Sequence, residues 1–153
     1  MVKIFDKDEI FKVLETKTAI MSFCPKDDEP DIWDINKWIL QTKGFLICPK
    51  IEGQTLKACK IHLLADLKKD IWDIWQPSWC EEFELDKIQL ILVPGTKFDK
   101  LGNRKGRGKW FYDKFLPKLK KALKIGVAFE LQQDLKPNKR DVPMDWILLR
   151  WKK

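Results

Sequence analysis

The sequence predicts a single α/β domain with a mainly parallel sheet flanked by helices, in a Rossmann-like three-layer arrangement. Short apolar, β-branched runs alternate with segments whose apolar residues recur at helical spacing, which is typical of this class. Several of these runs are followed by Pro or Gly, which end strands and helices. The chain of 153 residues is long enough for one hydrophobic core, so we expect residues 1–153 to form one domain.

In the first half of the chain, two predicted helices alternate with two predicted strands. The helices have apolar residues three or four positions apart, and the strands are continuous apolar runs. Asp6 is a suitable N-cap, Gly44 a suitable helix end, and Pro49 is expected to stop the second strand. In order, the predicted elements are helix Asp6–Glu15, strand Thr18–Phe23, helix Asp31–Lys43 and strand Phe45–Cys48.

The second half of the chain is less regular at first and then continues the alternation. Leu56–Leu67 fits a strand and a helix equally well, and Ile71–Pro77 is interpreted as an aromatic loop. The run Ile88–Val93 is predicted to be the central buried strand, because it is apolar, β-branched and followed by Pro94-Gly95. The remaining predicted elements are a helix from Trp110, a second helical segment Pro117–Lys124, strand Ile125–Leu131, polar turn Gln132–Pro143 and strand Trp146–Trp151.

Targeting signals and cysteine motifs are absent from the sequence pattern. No N-terminal stretch resembles a signal peptide, and no apolar run approaches the roughly 20 residues of a membrane span. The four cysteines form no C-x-x-C pair, and Cys59 and His62 lack a second ligand pair for zinc. We therefore expect a cytoplasmic protein with reduced, buried thiols, and we expect a monomer.

The positive charge is concentrated in one stretch of the chain. The formal net charge is +7, and residues 97–124 contain 11 Lys or Arg against two Asp, so the rest of the chain is slightly acidic. A focused positive field attracts polyanions such as nucleotides or nucleic acid.

The loop after the central strand combines glycines with cations. Between Pro94 and Trp110 it contains Gly102, Gly106 and Gly108, together with Arg104, Lys105, Arg107 and Lys109. Glycines let backbone amides approach an anion, and the predicted following helix adds a positive end. The order strand, cationic loop, helix therefore predicts phosphate binding, with a solvated basic loop as the alternative.

The complete string from Pro94 to Asp113 is more specific than its parts. The short strings PG, FD, GNR, GRGK and YD occur there in the order seen in the signature of 5-formyltetrahydrofolate cyclo-ligases. The chain resembles that family, also called 5,10-methenyltetrahydrofolate synthetases. Further similarity lies in Glu29, Pro49, Ile74-x-Gln76-Pro77 and the pattern Phe129, Gln132, Pro137, Asp141, Asp145.

The resemblance implies ATP- and Mg²⁺-dependent closure of 5-formyltetrahydrofolate to 5,10-methenyltetrahydrofolate, with release of ADP and phosphate. It implies catalytic roles for Arg107 and Lys109 and metal ligation by Asp113 and Asp141. The implied ATP-binding residues are Arg104, Lys105, Gly106, Arg107, Gly108, Lys109, Trp110, Phe111 and Tyr112. The implied binding residues for the folate, which can carry a polyglutamate tail, are Glu29, Arg107, Gly108, Lys109, Trp110 and Phe111.

Several of these residues also have an ordinary structural interpretation. Asp113 is also typical of a helical surface acid, Asp141 of a turn or N-cap acid, and Glu29 of a solvated acid before Pro30. Phe111 and Tyr112 are equally typical of plain core. Trp110 lines the binding cleft in our interpretation, because Phe111 and Phe115 already supply one apolar helix face.

Three features depart from the family pattern. Trp110 stands where the family has Gly, Arg140 where it usually has His, and we expect the N-terminus to lack a longer helix whose Lys and Arg reach the nucleotide. Lys3 and Lys7 are candidate replacements. One alternative function is therefore a non-catalytic relative that binds nucleotide or folate. Another is a nucleic-acid-binding domain, favoured by the basic stretch with its interleaved aromatic residues.

Overall fold

A computed structural model describes residues 1–106, 110–137 and 141–150, and it confirms the predicted α/β fold. The strands are β1 (Lys3–Phe5), β2 (Ile20–Met21), β3 (Leu46–Glu52), β4 (Thr55–Ile61), β5 (Leu67–Lys69), β6 (Trp75–Pro77), β7 (Glu81–Glu82), β8 (Leu90–Val93), β9 (Lys97–Phe98), β10 (Arg104–Lys105), β11 (Leu123–Ala128) and β12 (Trp146–Leu149).

Eight of these strands form one sheet in the order β1-β12-β11-β8-β2-β3-β4-β7. The neighbours from β1 to β3 are parallel, whereas β3–β4 and β4–β7 are antiparallel. Two short antiparallel hairpins, β5–β6 and β9–β10, lie outside it. The parallel part puts the carboxyl ends of β2, β3, β8 and β11 at one edge, where ligands bind in such sheets.

In the described part of the chain, three α-helices accompany the sheet, α1 (Glu9–Glu15), α2 (Trp33–Lys43) and α3 (Phe111–Phe115). The N-cap of α1 is Asp8, so the predicted cap at Asp6 is two residues too early. The Asp6 carboxylate nevertheless accepts the backbone N–H groups of Asp8 and Glu9 at 2.9 Å each, just before the first turn. Gly44 ends α2 in the left-handed conformation with φ 84°, which confirms the predicted helix end. Within the described ranges, no helix combines the length and apolarity needed to cross a bilayer.

The two faces of the central strand β8 pack against different hydrophobic clusters. Leu90 and Leu92 belong to one buried cluster, which also contains residues of α1 and α2, whereas Ile91 and Val93 belong to the other with Phe115 of α3. Successive residues of a strand point to opposite faces, so this division shows that helices cover both sides of the sheet. The three-layer prediction is confirmed.

Pro49 does not end β3, contrary to the sequence-based expectation. The N–H of Ile51 donates to the side chain of Gln76 rather than to β4, so alternate residues of β3, including Pro49, have their nitrogens on the side away from β4. On that side β2 pairs with β3 only at Ile47. The missing N–H of Pro49 therefore costs no strand hydrogen bond, and β3 continues to Glu52.

The predicted second helix Pro117–Lys124 is also wrong. After the 3₁₀ turn Leu116–Lys118, the backbone leaves the helical region at Leu119, and β11 already begins at Leu123. The Leu123 N–H donates to the carbonyl of Gln89, just before β8. Sheet pairing thus overrides helix propensity here, and β11 ends at Ala128 rather than at the predicted Leu131.

Two ambiguous segments are now resolved. The first half of Leu56–Leu67 is strand β4, followed by a 3₁₀ turn at Leu64–Asp66, and the predicted aromatic loop contains β6 of the β5–β6 hairpin. Strand β1 was not predicted, because it has only three residues and one of them is a lysine.

The expectation of four reduced thiols is wrong for one pair. Cys59 on β4 and Cys80 just before β7 form a disulfide, with their Cα atoms 4.9 Å apart. Pairing of the two strands brings these cysteines together across 21 positions of sequence, which spacing does not reveal. Cys24 and Cys48 are free and buried, as expected.

Candidate functional site

A cavity of about 660 Å³ opens at the carboxyl ends of β2, β3 and β8. Its described walls come from the segment after β2, the end of β3, the β5–β6 hairpin, the segments 94–95 and 104–106, and the start of the next helix at 110–112. This edge is the one that the sequence predicted to carry the ligand, because the Pro94 loop leaves the sheet there.

The segment after β2 supplies the first wall, with Phe23, Cys24, Lys26 and Glu29. The side chain of Asn36 on α2 holds it in place, bonding to the buried Ser22 hydroxyl and donating to the Phe23 carbonyl at 2.9 Å. The thiols of Cys24 and Cys48 are in contact, and this contact together with burial raises the pKa of the Cys48 thiol. Cys48 is therefore a neutral thiol rather than a thiolate nucleophile.

Glu29 is buried, with 9% of its surface exposed, and it lies on the cavity wall. Its carboxylate accepts the Lys26 N–H at 2.8 Å, while its own N–H donates to the Lys26 carbonyl at 3.0 Å. The solvated alternative for Glu29 is thus wrong, because a reciprocal turn folds the carboxylate inward.

The β5–β6 hairpin forms a wall that the sequence interpretation missed. Trp72 and Trp75 line the cavity although 73% and 40% of their surfaces are exposed, so they form part of its open rim. Asp70 shapes the hairpin tip by accepting the N–H groups of Trp72 and Ile74 at 2.8 and 3.0 Å. The sequence did contain an indication of this wall, because two tryptophans lie close to an aspartate in an irregular segment. Exposed aromatic side chains on an ordered turn are typical of sites that bind planar rings.

Arg104 is the cation that the fold brings to the cavity wall. Its side chain is only 8% exposed, its Nε donates to the Pro94 carbonyl at 2.7 Å, and its guanidinium lies 5.1 Å from the centre of the Tyr112 ring. Burial lowers the pKa of this guanidinium, whereas Tyr112 and the acids around it raise it. An Arg nonetheless stays charged at every physiological pH, so it is a fixed positive group on the cavity wall.

The two predicted metal ligands both face Arg104. The Asp113 carboxylate forms an ion pair with Arg104 at 3.3 Å, and Asp113, Glu29 and Asp141 all lie near enough to raise the pKa of the guanidinium. Asp113 and Asp141 thus both lie close enough to influence the same guanidinium, although 28 positions separate them in the chain. Neither is among the residues that line the cavity.

Trp110, Phe111 and Tyr112 lie along the cavity wall at the start of α3. Trp110 is 57% exposed, so its indole stands at the cavity rim rather than in the core. Its backbone adopts the left-handed conformation with φ 64°, a region that glycine enters easily and tryptophan rarely does. Burial raises the pKa of the Tyr112 hydroxyl, which therefore remains a neutral phenol.

The remaining predicted site residues divide into two groups. Gly106 lines the cavity and Lys105 is exposed beside it. Arg107, Gly108 and Lys109, as well as Arg140, lie outside the described residues.

The candidate replacement cations from the N-terminus are not part of the cavity wall as far as the described residues define it. The ammonium of Lys3 lies over the rings of Phe5 and Trp146, 4.9 and 5.7 Å from their centres. Lys3 begins strand β1, and thus lies near the amino edge of the sheet, opposite the cavity.

The described side chains near Arg104 could hold only a metal ion that prefers oxygen ligands and keeps several waters. Among the described residues no group of three His, Cys, Asp or Glu side chains could enclose a metal ion. Two carboxylates near a cavity-lining arginine suit Mg²⁺, which keeps several waters and takes further oxygens from a bound phosphate. The residues that are present therefore fit Mg²⁺ held together with a nucleotide.

Comparison with known proteins gives a consistent result. A sequence model of the 5-formyltetrahydrofolate cyclo-ligase family matches residues 3–150. The chain is 32% identical over 111 residues to the 5-formyltetrahydrofolate cyclo-ligase of Mus musculus, covering 67% of this chain and 55% of that protein. It is 33% identical over 89 residues to the one of Haemophilus influenzae, covering 54% and 48%. The chain thus spans about half the length of these curated relatives.

Two solved structures are similar in fold. The NMR structure of Aquifex aeolicus 5,10-methenyltetrahydrofolate synthetase superposes with a TM-score of 0.77 at 30% identity, covering 89% of this chain and 71% of that one. The 5,10-methenyltetrahydrofolate synthetase of Mycoplasma pneumoniae gives a TM-score of 0.71 at 22% identity, covering 92% and 79%. At that lower identity the second match shows the fold alone.

Proposed function

The chain belongs to the 5-formyltetrahydrofolate cyclo-ligase family, and we propose from this premise that it converts 5-formyltetrahydrofolate and ATP to 5,10-methenyltetrahydrofolate, ADP and phosphate. The main structural support for this proposed activity is the composition and position of the cavity. It combines tryptophan rings at its rim with a buried arginine on its wall, at the edge of the sheet where the glycine-rich cationic loop leaves. These features suit one ligand with a planar ring system and another with phosphates.

The proposed reaction has two steps. The formyl oxygen attacks the γ-phosphorus of ATP and ADP leaves, so the formyl carbon becomes bonded to a phosphate ester oxygen. N10 then attacks that carbon and loses its proton, and the C–O bond breaks to release inorganic phosphate. Neither step needs a protein nucleophile, so the protein's work is positioning and charge neutralisation.

Arg104 is the described residue best placed to neutralise phosphate charge. It lies in a wall with few competing waters, where a charge-assisted hydrogen bond is stronger than in solvent. Gly106 offers close backbone approach, and Lys105 adds a nearby charge. We assign Arg107, Gly108 and Lys109 to the same phosphate site from the sequence pattern, with Arg107 and Lys109 acting on the transferred group.

Asp113 and Asp141 are the residues that would hold Mg²⁺, which when bound supplies charge compensation for the phosphates. In the structure Asp113 is paired with Arg104, so this carboxylate also keeps the guanidinium oriented. Nucleotide binding would then compete with this ion pair for Arg104, and would leave the carboxylate available to a cation.

The folate ring system fits between the segment after β2 and the aromatic residues. Glu29 presents buried acceptor oxygens, which suit the N–H groups of a pterin. Trp110 and Phe111 supply ring faces from α3, and Trp72 supplies one from the β5–β6 hairpin. We assign these residues to the substrate.

The decisive experiment mixes the purified protein with ATP, Mg²⁺ and 5-formyltetrahydrofolate and follows methenyltetrahydrofolate by its absorbance. We expect turnover that requires all three components. Arg104→Gln should lower kcat/KM by about a hundredfold, because a buried charge aimed at phosphate is lost. Lys100→Gln, an exposed cation of the same loop, is the matched control and should leave turnover unchanged.

Ligand binding without product would favour the alternative function, a non-catalytic nucleotide- or folate-binding relative. Calorimetry with each ligand separately distinguishes this result from an inactive preparation. If neither ATP nor 5-formyltetrahydrofolate binds to the folded protein, the proposal is wrong.

A further inference from the structure

Asp99 is a fully buried acid that lies outside the cavity wall. None of its surface is exposed, and its carboxylate is saturated by four donors. One oxygen accepts the N–H groups of Leu101 and Asn103 at 3.0 and 2.9 Å. The other accepts the Asn103 side-chain amide at 3.0 Å and the Leu135 N–H at 2.8 Å. Burial alone would raise the pKa of Asp99, but these donors lower it, so the group is a buried carboxylate anion.

These four bonds join two segments that are far apart in sequence. Leu101 and Asn103 belong to the β9–β10 hairpin, which delivers Arg104 and Gly106 to the cavity. Leu135 belongs to the chain after β11, which leads to Asp141. The carboxylate of Asp99 thus ties the arginine side of the site to the segment that carries the second acid.

The backbone reinforces the same junction. Gln132 donates its N–H to the Phe98 carbonyl at 2.8 Å, and Met144 donates to the Gly102 carbonyl at 2.7 Å. Gly102 has φ 87°, and a Cβ on it would clash with the Met144 carbonyl oxygen, so the two segments approach as closely as their backbones permit. Asp99 lies in the chain between Phe98 and Gly102, the two residues whose carbonyls accept these bonds from the other segment.

We propose that Asp99 is a positioning residue that fixes the separation of the Arg104 loop and the Asp141 segment, and thereby the binding of the ATP phosphates. The inference rests on the proposed function, because it assigns those two segments to ATP. The four bonds of Asp99 do not reach Glu29, Trp72, Trp110 or Phe111, which are the residues that we assign to the folate. Its signature is therefore a loss of ATP affinity with folate affinity retained.

The test is Asp99→Asn, which keeps size and removes one acceptor. An amide has only one acceptor oxygen, so its NH₂ group must face donors that the carboxylate accepted. We expect the Kd for ATP, measured by calorimetry with Mg²⁺, to rise about tenfold, because small misplacements of binding groups are costly. The Kd for 5-formyltetrahydrofolate should stay within about twofold of the wild-type value, since its proposed walls are intact.

A milder variant and a control complete the design. Asn103→Ala removes one of the four donors and should raise the Kd for ATP about threefold, so it decides the question if Asp99→Asn does not fold. Asp145→Asn is the matched control. The Asp145 carboxylate also joins two segments, accepting the Lys124 N–H at 2.8 Å, but it precedes β12 at the opposite edge of the sheet. It should lower the melting temperature without changing ATP affinity.

The outcomes separate the two proposals. An unchanged Kd for ATP in the folded Asp99 variant, or an equal loss of ATP and folate affinity, would overturn the positioning role while leaving the proposed function intact. A wild-type protein that binds no ATP would overturn both.

Discussion

Trp110 occupies a backbone conformation that glycine adopts at little cost. Its φ of 64° lies in the left-handed region, where a Cβ crowds the following carbonyl and costs about 1–2 kcal/mol. This explains in physical terms why the family pattern has glycine at the position. In this chain Trp110 adopts the strained conformation, and its indole, 57% exposed, lies at the cavity rim.

Replacing Trp110 by Gly should therefore affect binding more than stability. Relief of backbone strain is offset by about 1 kcal/mol of glycine chain entropy and by the lost contacts of a half-exposed ring, so we expect little change in melting temperature. The Kd for ATP or for 5-formyltetrahydrofolate should change by about tenfold, as expected when an aromatic ring contact is lost. Fluorescence and calorimetry measure both ligands.

The control for this variant is Trp79→Ala, since Trp79 is 73% exposed and does not line the cavity. It should change neither affinity. A Trp110→Gly protein that melts far lower but binds both ligands normally would show that the indole serves packing instead.

At the scale of single residues, the signature string marked several residues that lie on the cavity wall, while their roles in binding stay predictions. Gly106, Trp110 and Phe111 were predicted from the loop pattern, and they line the cavity. The burial of Glu29 was undecided, because a turn with Lys26, invisible in composition, folds it inward. The structural role of Asp99 was missed, since its donors come partly from a segment 36 positions away.

At the scale of elements, the β5–β6 hairpin is the part of the site least predictable from local pattern. Its two strands have three residues each, and its tip is made by Asp70 and by Asp73 with φ 62°. Two contacts with β3 hold it beside the cavity: Gln76 accepts the Ile51 N–H at 3.1 Å, and the Lys50 ammonium donates to the Pro77 carbonyl at 2.8 Å. These hydrogen bonds to β3 fix the position of an aromatic segment whose secondary structure could not be predicted from the spacing of its apolar residues.

The disulfide closes the loop that contains this hairpin, because Cys59 precedes it and Cys80 follows it. Reducing the bond, or replacing Cys80 by Ser, should lower the free energy of unfolding by about 3 kcal/mol, the loop-closure value for a ring of this size. Urea unfolding with and without a dithiol reductant measures the loss. A protein that is equally stable in both conditions would contradict the assigned bond.

Cys24→Ser is the matched control for that experiment, since Cys24 is a buried free thiol. Its stability should respond to the reductant in the same way as that of the wild type. A Cys80→Ser protein should not respond, because the bond is already absent.

At the scale of the whole molecule, the cations of residues 97–124 that the structure describes do not all surround the cavity. Residues 97–124 contain 11 cations, but they do not all lie on one helix, because α3 ends at Phe115. The Lys124 ammonium is buried and donates to the carbonyls of Leu119 and Ala122. Lys121 precedes β11, at the amino edge of the sheet, opposite the cavity.

This division leads to a prediction about ATP association. A positive field near the cavity should speed the encounter with an anionic nucleotide, and salt should screen it. Lys105 is exposed next to Gly106 on the cavity wall, whereas Lys121 is exposed at the far edge. Lys105→Gln should therefore lower the association rate constant of ATP several-fold at low ionic strength, and Lys121→Gln should lower it much less.

Stopped-flow tryptophan fluorescence, recorded between about 0.01 and 0.2 M salt, provides the measurement. The wild-type rate constant should fall as salt rises, and the Lys105 variant should show a weaker salt dependence, because fewer charges near the cavity remain to be screened. Equal effects of the two substitutions would mean that net charge, rather than its placement, governs the encounter. Tight binding of a polynucleotide with a steep salt dependence, abolished by both substitutions, would instead favour the nucleic-acid-binding alternative.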